Sequence, residues 1–482
     1  MSFESVGPVL SKAPVRDRQA FNPYLPSWEY IPDGEPYVFD GRVYVYGSHD
    51  RFGGQVFCMN DYVCWSADVN DLTDWRYEGV IYPKTSDPLN RDGSMCLYAP
   101  DVAKGADGRY YLYYVLDKVS VVSVAVCDTP AGRFEYLGNV HYPDGTLLGD
   151  REGDEPQFDP GVLYEDGKVY LFTGFCGHGD KSRHGAMLTI LDKDMLTVLA
   201  PPRIVAPGAC YAAGTPYEGH AFFEAPSIRK RGDLYYFIYS SQVMHELCYA
   251  TSDRPDGEFT YGGVIVSNTD LGIDSYKKAD VATAYGANNH GSMEKINDDW
   301  YIFYHRHTNN TWYARQGCAE KLSFDENGKI CQAEITSCGL NGGPLCDRGE
   351  YPAYILCNLF DEKHSVYVGE GGAPYVTQEG GDGVQCTGYL NGIHDKVTAG
   401  FKYFDLKGVT GLKIRTKGYF AGEFEVRNSY DGEVLGRIKV DFRDVWTESS
   451  SEFTIPDGVS ALYLTFRGTG NGCLNSFEFL HG

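Results

Sequence analysis

DGRVYVYGS (residues 40–48) decides the fold, because the chain carries it in five variants. A turn of Asp, Asn or Gly opens a short run in which Tyr or Trp alternates with aliphatic residues. The other copies are DGRYYLYYV (107–115), DGKVYLFTG (166–174), RGDLYYFIY (231–239) and NDDWYIFYH (297–305). Alternation of period two, rich in aromatics and opened by a turn, is the mark of a strand. With Tyr44, Tyr111, Tyr170, Tyr236 and Tyr301 taken as equivalent, the intervals are 67, 59, 66 and 65 residues. Each unit has room for about four short strands. Five such units predict an all-β chain whose first part, residues 1–340, is a five-bladed β-propeller, in which radial repetition leaves only short sheet edges.

The length of 482 residues exceeds one ordinary core, so a second, smaller unit is expected. The Gly- and Pro-rich stretch GLNGGPLCDRGEYPAY (339–354) reads as the boundary. Beyond it, FKYFDL, GLKIRT, EFEVRNSYDG, RIKVDF, ALYLTF and NSFEFL alternate strongly between turn signals. Residues 350–482 therefore read as a β-sandwich, jelly-roll-like in pattern.

Charge and cysteine usage narrow the function classes. Lys and Arg number 42 and Asp and Glu 66, a net charge of 42 − 66 = −24. Such a surface repels nucleic acid and anionic membranes and tolerates a neutral partner. The 14 cysteines are scattered singly with no C-x-x-C pair, which excludes the usual zinc-ribbon and thioredoxin spacings. The N-terminal MSFESVGPVLSKAP has neither the basic start nor the apolar stretch of an export signal. Together these point to a reducing, cytoplasmic setting. No apolar run approaches the ~18 residues of a membrane span. No oligomeric state follows from the sequence.

Counting back from the five reference tyrosines locates the chemistry. Asp33, Asp101, Asp159, Glu224 and His290 lie 11, 10, 11, 12 and 11 residues upstream. Symmetry would gather four carboxyls and an imidazole at one end of the channel. Crowded, partly desolvated carboxyls have raised pKa values, the property that acid–base catalysis on a neutral substrate needs. Glycoside hydrolysis asks for two such groups, one protonated and one ionised. The first blade offers a competing register: IPDGEP (31–36) carries both Asp33 and Glu35. Spacing to the Tyr44 strand favours Asp33.

At these positions the chain resembles glycoside hydrolase family 43 over roughly residues 20–340. The resemblance rests on Asp33 before the first strand, YAPD (98–101), Asp159-Pro160, Glu224, and NNHGSMEK (288–295) with YHRHT (304–308). The chain departs from the family in having Pro-Asp-Gly-Glu-Pro where Asp-Pro is usual, and the Asp-Pro register would select Glu35. The resemblance implies an inverting exo-glycosidase that releases terminal pentoses, α-L-arabinofuranose or β-D-xylose, from neutral oligosaccharides. Asp33 would be the general base, Glu224 the general acid, and Asp159 the carboxylate that orients Glu224 and raises its pKa. An endo-arabinanase, a non-catalytic sugar-binding propeller and a retaining fructan enzyme are the alternatives. The C-terminal unit resembles carbohydrate-binding module family 6, with Tyr403 and Trp446 as candidate sugar platforms.

His49, Asp50, Asp101, Phe223, His290, Arg306 and Arg315 are the expected substrate contacts, with Phe223 an apolar wall beside the acid. His290 is also the candidate contact for an ion on the channel axis. No cofactor is required for the chemistry, and a structural Ca²⁺ is left open.

Overall fold

The computed structural model describes residues 19–482. The N-terminal stretch read above for an export signal lies outside the described residues. Four antiparallel sheets of four strands and one of three follow each other along the chain. Blade 1 is β1 (Glu35–Phe39), β2 (Arg42–Tyr46), β3 (Tyr62–Asp68) and β4 (Asp71–Tyr82). Blade 2 is β5 (Asp101–Lys104), β6 (Tyr110–Tyr114), β7 (Ser123–Cys127) and β8 (Glu135–Asn139). Blade 3 is β9 (Gly161–Glu165), β10 (Lys168–Thr173), β11 (Gly185–Leu191) and β12 (Val198–Pro207). Blade 4 is β13 (Phe222–Arg231), β14 (Leu234–Ser241), β15 (Glu246–Ser252) and β16 (Thr260–Ser267). Blade 5 is β17 (Met293–Ile296), β18 (Asp299–His307) and β19 (Arg315–Lys321). Each is a simple meander, and the first strands of neighbouring blades pack around the axis, β1 on β17, β5 on β9 and β9 on β13.

The repeated sequence forms the second strand of each blade, not the channel-lining first. Its opening dipeptide is the turn of the inner hairpin. Phe39 pairs with Arg42 across Asp40 (φ 49°) and Gly41 (φ 78°), and Glu165 pairs with Lys168 across Asp166 (φ 51°) and Gly167 (φ 76°). Positive φ at both central residues is the primed turn whose twist suits a hairpin, which explains the Asp-Gly preference.

The second strand alternates because both of its faces are buried. In β10, Tyr170 and Phe172 pack with Tyr235 and Phe237 of blade 4, while Val169 and Leu171 pack with Tyr111 and Tyr113 of blade 2. Blades 4 and 5 meet likewise through Tyr236, Ile238, Ile302 and Tyr304, and blades 5 and 1 through Phe303, Val43 and Val45. Each such side chain contributes about 1.5–3 kcal/mol by leaving water. The ring closes where residues 22–24 bond along the outer edge of β19: Tyr24 N–H donates to the Gly317 carbonyl (3.3 Å), and the Asn22 amide bonds to Ala319 N and O.

Ten strands from Leu345 to His481 make the C-terminal sheet, which therefore begins ahead of residue 350. They form one continuous hydrogen-bonded sheet, wrapped around a single core that includes Phe401, Phe404, Phe466 and Phe477. Two long strands, Val409–Arg427 and Gly458–His481, pair with each other and serve both layers. Gly470 sits at φ 90° where an added Cβ would strike the Tyr419 carbonyl, so only glycine lets these strands approach there.

The joint between the two units is built on buried charge. Lys402, with no exposed surface, pairs with Asp270 (3.2 Å) and Glu334 (2.8 Å) and stands 3.7 Å over the Tyr276 ring. Tyr403 gives its hydroxyl to Glu334 (2.6 Å) at this joint, so it is not the sugar platform expected from the sequence. Trp446 packs edge-on to Tyr389 under the Lys417 ammonium, 4.6 Å from its ring.

Candidate active site

The residues that enter the inner strands meet at one mouth of the channel. A cavity of about 280 Å³ there is lined by Asp33, Asp159, Glu224, His290 and Arg315, with Phe223 and other aromatic side chains as walls. Unusual backbone aims the three carboxyls. Asp33 (φ 58°), Asp159 (φ 44°) and Ala225 (φ 62°), next to Glu224, all adopt left-handed conformations. Such angles cost energy in a non-glycine residue and concentrate at functional sites. Register shifts flank Glu224 on β13, between Phe222 and Glu224 and again before Ser227, and bulges of this kind re-aim a side chain.

Asp33 is held as a carboxylate. Arg315 donates to its Oδ1 at 2.9 Å, and the Nδ1 atoms of His305 and His290 lie 3.3 and 3.9 Å from the same oxygen. Burial pushes the Asp33 carboxyl up, but Arg315 and the two histidines override it and hold it well below the usual carboxylate range. Asp50, fully buried, fixes that arginine with a two-pronged contact, Nε to Oδ2 at 2.8 Å and Nη2 to Oδ1 at 3.0 Å. Phe57 lies under the guanidinium at 4.7 Å.

Glu224 is in the opposite state. Burial and the Asp33 charge push its carboxyl up to about 8, against Arg315 and Asn288. Asp159 is raised well above its ordinary value by burial and by the charges of Glu224 and Asp33, although its Oδ2 accepts the Ala225 N–H (3.2 Å). Three buried carboxyls around one cavity cannot all ionise cheaply; Arg315 selects Asp33 as the charged one. His290, 3.7 Å from Asp159 Oδ2, is pushed down to about 4 by burial and is neutral near pH 7.

Glu35 faces elsewhere. It is 1% exposed, bonds Arg229 (2.6 Å) and Ser227 (3.0 Å) across the channel, and does not line the cavity. Burial and the Asp101 charge push its carboxyl up to about 8 as well. Access to the cavity, not pKa, therefore separates Glu35 from Glu224.

Several expected substrate contacts are corrected. Asp101 has no exposed surface: it accepts from Tyr37 O–H and Val162 N–H, both at 2.7 Å, and ties three blades together. His49 is engaged by Glu29 (3.0 Å) and the Asp61 carbonyl (2.8 Å). Arg306 donates to Gln316 and to the carbonyls of Tyr354 and Leu356 at the joint between the units. Asp50 and Arg315 position Asp33, since the guanidinium is taken up by Asp50 and Asp33 and has little left for a sugar. For His290 as an ion contact, the groups of three ligand atoms close enough to share an ion, among the described residues, do not include it.

The sequence reading missed the walls. Phe57 and Cys58 come from the loop after β2, Tyr98 and Ala99 from the entry to β5, and Trp312 from the loop between β18 and β19. Trp312, one of only six tryptophans, sits in the polar stretch NNTWYAR (309–315), and an aromatic stranded among polar residues was the available signal. The C-terminal unit braces these loops. Asp382 accepts from Phe52 N–H (2.8 Å) and Asn60 (3.0 Å), and Gly369 N–H donates to Asn310 (2.8 Å).

Comparison with known proteins agrees with this geometry. The sequence model of glycosyl hydrolases family 43 matches residues 31–330. A protein named xylosidase/arabinosidase from Thermoclostridium stercorarium is 64% identical over 466 residues, covering 95% of this chain and 98% of its own length. The crystal structure of a family 43 β-xylosidase/α-arabinofuranosidase from a compost microbial metagenome, in complex with xylotriose and in a calcium-free form, is 26% identical with a TM-score of 0.51, over 67% of this chain and 98% of its own. That of an arabinoxylan arabinofuranohydrolase from Bacillus subtilis shares the fold over 96% of this chain and 97% of its own, at 21% identity and a TM-score of 0.52. With its propeller and its carboxyl-lined cavity, this chain belongs to glycosyl hydrolase family 43.

Proposed function

We propose that the protein is an inverting exo-glycosidase that removes terminal α-L-arabinofuranose and β-D-xylose from short neutral oligosaccharides of hemicellulose. One observation carries the reading: Asp33 and Glu224 line one cavity, and the Arg315 guanidinium 2.9 Å from Asp33 holds that carboxyl low while burial and the Asp33 charge push Glu224 up. Asp33 accepts a proton from water as its oxygen attacks the anomeric carbon. The glycosidic C–O bond breaks, and the departing oxygen takes the proton of Glu224. Burial and the Asp33 charge keep Glu224 protonated, and Asp159, bonded to the Ala225 N–H next to Glu224, holds that stretch of backbone in place. Both proton transfers use the chain's own side chains, so no cofactor enters the chemistry.

Other features support the choice of substrate. The dual name of the 64% identical relative favours both pentoses. A cavity of about 280 Å³ with aromatic walls is the size of one terminal ring rather than of a polymer segment. The net charge of −24 favours a neutral ligand, and the fourteen free cysteines favour a reducing compartment supplied with short oligosaccharides. In a panel of aryl glycosides, the arabinofuranoside and xyloside should be turned over and the galactoside should not. Proton NMR should show the inverted anomer first; a retained anomer would overturn the mechanism.

Arg315 supplies a pH test. The Asp33 pKa is depressed in the folded protein, so the base is active above that pKa and lost as pH falls through it. Arg315→Lys keeps the charge but loses the two-pronged fit. The acid limb of kcat/KM should then move to higher pH by about one unit, while the alkaline limb stays in place. An unmoved acid limb would sink the assignment of Arg315.

A further inference from the structure

We propose that Asp361, His364 and His394, at the edge of the C-terminal unit, form a binding site for one divalent transition-metal ion such as zinc. The three side chains converge on one point: His364 Nδ1 lies 2.5 Å and His394 Nε2 2.9 Å from Asp361 Oδ2. Their supports are already in place. The N–H groups of Lys363 and His364 both donate to Asp361 Oδ1 at 2.9 Å, which turns Oδ2 toward the two imidazoles, and His364 Nδ1 is hydrogen-bonded to it at 2.5 Å. His394 Nδ1 lies 2.9 Å from the Gly392 carbonyl. A carbonyl only accepts, so Nδ1 carries a proton, and Nε2 is the ring nitrogen turned toward the carboxylate.

A cation shared by His394 Nε2 and Asp361 Oδ2 would account for their close approach. His394 Nε2 is buried and, despite its closeness to Asp361, is out of line for any hydrogen bond. The Tyr285 hydroxyl is buried beside Asp361. Two imidazoles and one carboxylate, with the His394 ring and Asp361 each held by a backbone group, are the ligand type and support that zinc uses. Calcium would ask for mostly oxygen ligands. The side chains of Asp361, His364 and His394 are 1%, 11% and 14% exposed, which leaves an approach from solvent.

The other close trio, His220, Glu246 and Cys248, is explained without an ion. His220 (2.6 Å), Ser241 (2.6 Å) and the Cys248 thiol (3.4 Å) all bond to Glu246 Oε1, and burial keeps that thiol protonated.

The ion would pin the segment 361–374 to the propeller. Gly286 N–H donates to Val366 O (2.8 Å), Val368 N–H to Gly286 O (3.2 Å), and Asn310 to Glu370 O (2.7 Å), two residues from Trp312 of the cavity wall. To test this, the full-length protein is stripped with a chelator, dialysed and titrated calorimetrically with Zn²⁺, with Ca²⁺ in parallel. One Zn²⁺ per chain should bind and raise Tm, and Ca²⁺ should do neither. His364→Ala and the milder His394→Gln should each weaken zinc binding at least tenfold. Co²⁺ should give the wild type visible bands of a site with nitrogen and oxygen ligands, a readout independent of the variants. Absence of wild-type binding, or an unchanged isotherm in both variants, overturns the proposal.

Discussion

Asp33→Asn is expected to lower kcat/KM on an aryl arabinofuranoside by about 10³–10⁴-fold, the usual loss when a general base is removed, while Glu35→Gln stays within about tenfold of wild type, having no general base to lose. The amide is nearly isosteric and its oxygen still accepts from Arg315 (2.9 Å in the wild type), so the cavity survives and the proton acceptor does not. Glu35 is two residues away, at the start of β1, bonded to Arg229 and Ser227 and closed off from the cavity. Its replacement bears on the buried contact with Arg229 and not on the chemistry. The two variants therefore separate by rate: Asp33→Asn loses it and Glu35→Gln keeps it. The reverse pattern would transfer the base to Glu35 and restore the Asp-Pro register of the family.

The contrast between these neighbours shows what a sequence of this kind discloses. The propeller was legible because its signal is local: a tight turn followed by a strand buried on both faces, repeated five times. Equal spacing also brought Asp33, Asp159, Glu224 and His290 to one cavity, since position along a blade fixes where the chain meets the axis. Spacing failed at Asp101, which occupies the same place in its blade but turns its oxygens to Tyr37 and Val162. What a side chain bonds to depends on residues distant in sequence: Arg315 finds Asp50 and Asp33 across more than 260 positions. The same reason hid the roles of His49 and Arg306, whose partners are Glu29 and Asp61 for one and the carbonyls of residues 354 and 356 for the other. The aromatic walls come from loops with no repeat to mark them, and the C-terminal brace on those loops has no sequence signature.

Glu224→Gln should separate substrates by their leaving groups. An acid is needed only as far as the departing oxygen must be protonated, so the loss should be largest, about 10³–10⁴-fold, on xylo- or arabino-oligosaccharides with alkoxide leaving groups. On a dinitrophenyl glycoside, whose leaving group departs unassisted, the loss should shrink to about tenfold, and a uniform loss on both would point to a binding or folding defect instead. The pH profile gives an independent check. With the Glu224 pKa pushed up to about 8, kcat/KM of the wild type should fall as pH rises through 8, because the active form is the protonated acid. That limb should vanish in Glu224→Gln, which has no proton to lose. Stability should respond in the same direction. A carboxyl whose folded pKa lies above its unfolded value destabilises the fold as pH rises from about 4.3 toward the folded pKa. Removing the ionisable group should therefore raise Tm at pH 7 while activity falls, and an acid limb still set by Asp33 should remain.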